Sequence, residues 1–145
     1  MRRSLFLLWL ALAAAAGAQD VSVATFHADV TPPLGSPLVF GVIAPAREIL
    51  DPLSARGIVL LGAGKPLVLV AVDWVGIGNQ GHAQWRGALA EAAGTTPDRV
   101  TVHTLHQHDT PAYDPDAERL LERHGLAGRI YNVEFAARAI ERTTA

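Results

Sequence analysis

The stretch that decides the fold is Leu67-Val68-Leu69-Val70-Ala71-Val72-Asp73, six apolar residues closed by one carboxylate. A run this short, rich in branched side chains and lacking polar alternation, predicts a strand covered on both faces in the interior of a sheet. Upstream, Ala55 to Leu61 is a second strand, and Gly62-Ala63-Gly64-Lys65 between the two supplies a hairpin turn. Downstream, Asn79 to Ala93 places Ala83, Trp85, Leu89 and Ala90 on a helical pattern that stops at Gly94. Thr96-Pro97-Asp98 then turns the chain into Arg99 to Leu105, another strand. The order strand, helix, strand is a βαβ unit, which makes the strands around Val68 and Val102 parallel neighbours.

Working outward, Val21 to Phe26 alternates as an entry strand, Asp29 to Gly35 breaks it with Pro32-Pro33, and Pro37 to Pro45 is a loop. Pro115 to His124 and Val133 to Thr143 are two further helices. The fold class expected is α/β, with a mixed, partly parallel sheet and flanking helices. Because the last helix runs to Ala145 without a stop signal, the chain is expected to be an incomplete N-terminal portion of a larger catalytic domain.

The first residues carry a different message. Arg2-Arg3, the apolar run Leu5 to Ala16 and the small residues Ala16-Gly17-Ala18 form a three-part export leader, so residues 1–18 are expected to be a signal peptide and 19–145 the mature domain. The apolar run is shorter than the roughly 20 residues that span a bilayer, so no transmembrane anchor is expected after cleavage. The destination is the periplasm or the medium. Taking Arg2 and Arg3 from the 12 basic residues leaves 10 against 14 acidic ones, a balance of −4 that gives nucleic acid no basic face. With no cysteine in the chain, a metal site must be built from His, Asp, Glu or Tyr.

Open α/β sheets hold ligands at the carboxyl ends of their strands. Two such ends are polar here: Asp73, and His106-Gln107-His108-Asp109. In an extended chain, His106 and His108 fall on one side, about 6.5–7 Å apart, while His103 points to the other face. Three of the six histidines lie between 103 and 108. A His-x-His pair suits one ion, or equally a polar loop whose imidazoles form hydrogen bonds, and spacing does not separate the two. Asp109 is placed to orient an imidazole. For Asp73 the competing role is as acceptor for backbone N–H groups, and Asp114-Pro115 reads as a helix start. His27, His82 and His124 are isolated, and Trp74 and Trp85 are packing residues.

Ala28-Asp29-Val30-Thr31-Pro32-Pro33-Leu34-Gly35, Asp51-Pro52-Leu53-Ser54-Ala55-Arg56, Val70-Ala71-Val72-Asp73 and Val102-His103-Thr104-Leu105-His106-Gln107-His108-Asp109-Thr110-Pro111, in this order, resemble the amino-terminal part of the neutral/alkaline non-lysosomal ceramidases. The family's Thr-His-Thr-His-Ser-Gly-Pro segment aligns with Leu105 to Pro111, with Asp109-Thr110 in place of Ser-Gly. The resemblance implies a zinc ligand at His106, a catalytic or substrate-facing His108, and hydrolysis of an N-acyl sphingoid lipid amide by a water activated at zinc. It further implies that another histidine, a glutamate and a tyrosine from later in full-length members complete the zinc site. Catalytic His108 and Asp73, metal-binding His106, and the secondary candidates His103 and Asp109 are therefore the expected site residues, and an amide-containing lipid or other small molecule the expected substrate, with possible membrane-surface contact. A non-catalytic exported module that binds a ligand or partner in the same crevice is the alternative, and a different metal hydrolase with a related core is a third.

Overall fold

The computed structural model describes residues 20–145. The expected leader, residues 1–18, lies outside them. Strand β1 (Ser22–Asp29) pairs antiparallel with β2 (Ser54–Gly62), which pairs antiparallel with β3 (Gly64–Val72). A two-residue strand β4 (Gly76–Ile77) leads into helix α1 (Asn79–Ala92), and β5 (Val100–Thr104) returns parallel to β3. The four-stranded sheet thus has the order β1-β2-β3-β5. β6 (Ala112–Tyr113) pairs parallel with β4, and helices α2 (Pro115–Arg123) and α3 (Val133–Thr144) follow. This is the mixed, partly parallel α/β sheet with helices that the sequence predicts. No described helix is long and apolar enough to cross a membrane.

All the covering is on one side. Val68, Val70 and Val72 of β3 and Val100 and Val102 of β5 are buried in one core with Trp85 and Leu89 of α1 and Phe135, Ala139 and Ile140 of α3. Trp74, fully buried, centres it: its ring meets Trp85 edge-on at 5.6 Å and Tyr113 at 6.3 Å, and its indole N–H donates to the Val30 carbonyl. The expectation that β3 is buried on both faces is corrected here, because Leu67 and Leu69 are 41% and 40% exposed. Side chains alternate across a strand, and among the described residues no element lies on the second face.

Local chemistry fixes the joints. Asp114 caps α2, its carboxylate accepting from the N–H groups of Asp116 and Ala117 at 3.1 Å. Asn132 does the same for α3 through Phe135 N–H, and its amide nitrogen donates to Ser36 Oγ. β3 begins at Gly64, two residues ahead of the strand expected over Pro66 to Asp73, since Gly64 at φ 112 makes the hairpin turn in a conformation that L side chains rarely adopt.

Candidate functional site

The parallel strands β3 and β5 both end at the edge where Asp73 and His106 follow them. Their continuations stay bound to each other: Leu105 N–H donates to the Val72 carbonyl and His106 N–H to the Trp74 carbonyl. The chain leaves the strand at His106, whose φ of 60 is left-handed. His106 and His108 therefore do not project from an extended strand as their spacing predicts. The left-handed residue, His106, donates its N–H to the Trp74 carbonyl at 3.1 Å. The two exposed rings are nonetheless brought together, with centroids 5.2 Å apart and planes at 70°.

His106 Nδ1 lies 2.7 Å from the Val75 carbonyl oxygen. A carbonyl only accepts, so Nδ1 carries the hydrogen, and in the neutral ring the Nε2 lone pair is left free. A backbone acceptor on one nitrogen is the arrangement that orients a metal-ligating imidazole. His106 fits a metal ligand on that ground. Catalytic zinc takes about three protein ligands, however, and among the described residues no three His, Asp or Glu side chains come together.

The segment after His106 is pinned from beneath. Thr110, fully buried, donates through Oγ1 to the Gln107 carbonyl at 2.7 Å, its own carbonyl accepts from Val39 N–H, and the Pro111 carbonyl accepts from Val75 N–H. The threonine standing where the family pattern has glycine thus ties the His108 turn to the body of the protein.

The other expected residues are placed as follows. Asp73 sits half-buried beside β2, and its Oδ2 accepts from both the N–H and the hydroxyl of Ser54 at 2.8 Å. That is the backbone-acceptor role weighed against catalysis. His103 stands on the uncovered face of the sheet, away from the His106–His108 pair, as its parity predicts. Asp109 is exposed on the turn. His82 is structural, with Nε2 3.1 Å from the Val102 carbonyl.

Sequence reasoning missed Val75, which acts through its backbone and so leaves no side-chain signal. It also missed Val39 and Phe40, at φ 46 and 58. Two consecutive left-handed residues, one of them β-branched, cost roughly 1–2 kcal/mol each and persist only where the surroundings hold them. Here they seat the Phe40 ring over Gly76, where a Cβ would come within 3.2 Å of it, and edge-on to Tyr131 at 6.4 Å. Burial, then the carboxylates of Asp114 and Glu118, hold the Tyr131 phenol above the ordinary tyrosine range.

No protein-family model matches the sequence, and no curated protein matches it. Among solved structures, the chain is similar to neutral ceramidase from Pseudomonas aeruginosa, with a TM-score of 0.58 and 18% identity over 86% of this chain and 21% of that one. It is also similar to a ceramidase complexed with C2, with a TM-score of 0.49 and 18% identity over 83% of this chain and 22% of that one. At that identity the first of these likenesses establishes a shared fold, and the chain spans 21% of the length of the structure it matches.

Proposed function

We propose that this chain is the amino-terminal part of an exported, zinc-dependent amide hydrolase related to neutral ceramidase. The observation that carries the reading is the His106 ring, oriented by the Val75 carbonyl with its second nitrogen free and His108 beside it at 5.2 Å. His106 serves as one ligand of the ion, and the groups that complete the set come from beyond the described residues. A zinc ion held there supplies a Lewis acid for an amide carbonyl.

His108 faces the same space and is suited to move a proton to the departing amine or to donate to the developing oxyanion. Asp73 positions rather than reacts: by holding Ser54 it locks β2 to the end of β3, from which Val75 is reached. The substrate class is an amide-bearing lipid, met at or near a membrane surface after export by the leader at residues 1–18.

In the full-length protein, His106→Ala abolishes zinc retention by elemental analysis, whereas His108→Ala keeps the metal and loses turnover of an N-acyl sphingoid substrate. Zinc and activity both retained in His106→Ala reject the reading. The non-catalytic alternative is a module whose imidazoles only bind a ligand or a partner in the same crevice. Stoichiometric zinc in the full-length protein decides against it.

A further inference from the structure

The uncovered face of the sheet carries a row of cationic and imidazole side chains in strict register. His27 of β1 partners Arg56 of β2, Arg56 partners Ala71 of β3, and Ala71 partners His103 of β5. Adjacent strands lie about 4.8 Å apart, so Arg56 stands about 5 Å from His27 and about 10 Å from His103. Only the methyl of Ala71 fills the gap between Arg56 and His103.

Opposite charges facing one another across strands stabilise a sheet, and Arg56 faces none in its row. Among the described residues Arg56 has no ion-pair partner; the two pairs present are Arg119–Asp116 and Arg138–Glu134. The nearest acids on this face, Asp29 and Asp73, lie one row further on, where Asp29 accepts from Thr31 N–H and Asp73 from Ser54. The next row in the opposite direction pairs Ile58 with Leu69, and the one after that Leu60 with Leu67. These apolar rows extend the face by about 13 Å along the strands. A depression of about 580 Å³ lies over Arg56, Ile58, Leu69 and the two histidines.

We propose that this face binds a single-chain anionic amphiphile, its oxyanion head held by Arg56 between His27 and His103 and its aliphatic chain laid over Ile58, Leu69 and Leu67. The guanidinium offers two parallel N–H donors to a carboxylate or a phosphate, and the imidazoles add donors from either side. Arg56 is the one formal cation of its row, and the rows of Ile58 with Leu69 and Leu60 with Leu67 separate it from Lys65 at the far end of β3, a layout that matches one head followed by one tail. An acidic protein segment would place its charges along its whole length. The head lies one residue short of the carboxyl ends of β3 and β5, the end of an open α/β sheet at which ligands collect.

The test is isothermal titration of the full-length protein with decanoate and decyl phosphate below their micelle concentrations, with inorganic phosphate and decyltrimethylammonium as controls. Both anionic amphiphiles bind the native protein, the tighter one identifying the head, while inorganic phosphate binds weakly and the cationic amphiphile not at all. Arg56→Gln lowers the affinity about tenfold or more, the loss of one charge-assisted pair. If Arg56→Gln alters the circular dichroism spectrum, His103→Gln on the outer strand carries the same test, with a smaller expected loss. Affinity unchanged by both substitutions, equal binding of decyltrimethylammonium, or no binding of either anion overturns the proposal. Zinc content is unaffected throughout, which keeps this outcome separate from the fate of the His106 reading.

Discussion

The Nδ1 atom of His106 lies 2.7 Å from the carbonyl oxygen of Val75, and that contact decides which face of the imidazole is available. Nitrogen-15 shifts of the neutral ring are expected to show Nδ1 protonated and Nε2 bare. The reverse tautomer excludes His106 as an Nε2 ligand in this geometry.

Asp73 and Ser54 join β2 to the end of β3. Asp73→Ala removes the acceptor of two hydrogen bonds and strands the Ser54 N–H, an expected loss of about 3 kcal/mol, whereas Ser54→Ala costs about 1 kcal/mol. Urea denaturation measures both. Asp73→Asn keeps an accepting oxygen and is expected to remain folded, so turnover lost in that variant at unchanged stability would assign the carboxylate a direct part in the chemistry.

The chain has two tyrosines, Tyr113 and Tyr131, and both phenols are raised, Tyr113 by burial and Tyr131 by burial together with nearby carboxylates. A phenol that ionises later in the folded chain than in the unfolded one leaves stability intact below the unfolded value of about 10 and erodes it as pH rises from there to the folded value. The unfolding free energy is therefore expected to fall above about pH 10, with phenolate absorbance lagging behind that of the urea-unfolded chain. Coincident titration curves contradict the burial argument.

Gly57 faces the core side of β2, where a Cβ would run into the Phe26 ring and approach the Leu69 carbonyl at 3.0 Å. Gly57→Ala is expected to destabilise by about 1–3 kcal/mol through overpacking. Adding Phe26→Leu to Gly57→Ala recovers part of the loss in a thermal melt, and no recovery places the clash at the backbone instead.

The long elements were legible from pattern and length. The short apolar run Leu67 to Val72, the alanine-rich turns ending at Gly94 and the segment Arg99 to Leu105 are sufficient to read strand, helix and strand. The facing of those strands was not, since a run without polar residues looks the same whether Leu69 meets a helix or open space. β4 and β6 are two residues each, too short to show a period, and exist because Val75 and Tyr113 are held by their neighbours. At the site, residue types revealed His106 and His108, but the left-handed turn at His106 comes with a hydrogen bond to a carbonyl 32 positions away in the chain at Trp74, which no local pattern announces.

The order β1-β2-β3-β5 places each strand of the main sheet beside the one already laid down before it. A chain emerging from its amino end can therefore assemble this sheet by addition to a free margin, with no insertion between strands already paired and only the α1 crossover to wait for. The ends of β3 and β5, and with them the two imidazoles, come together in the last of those additions.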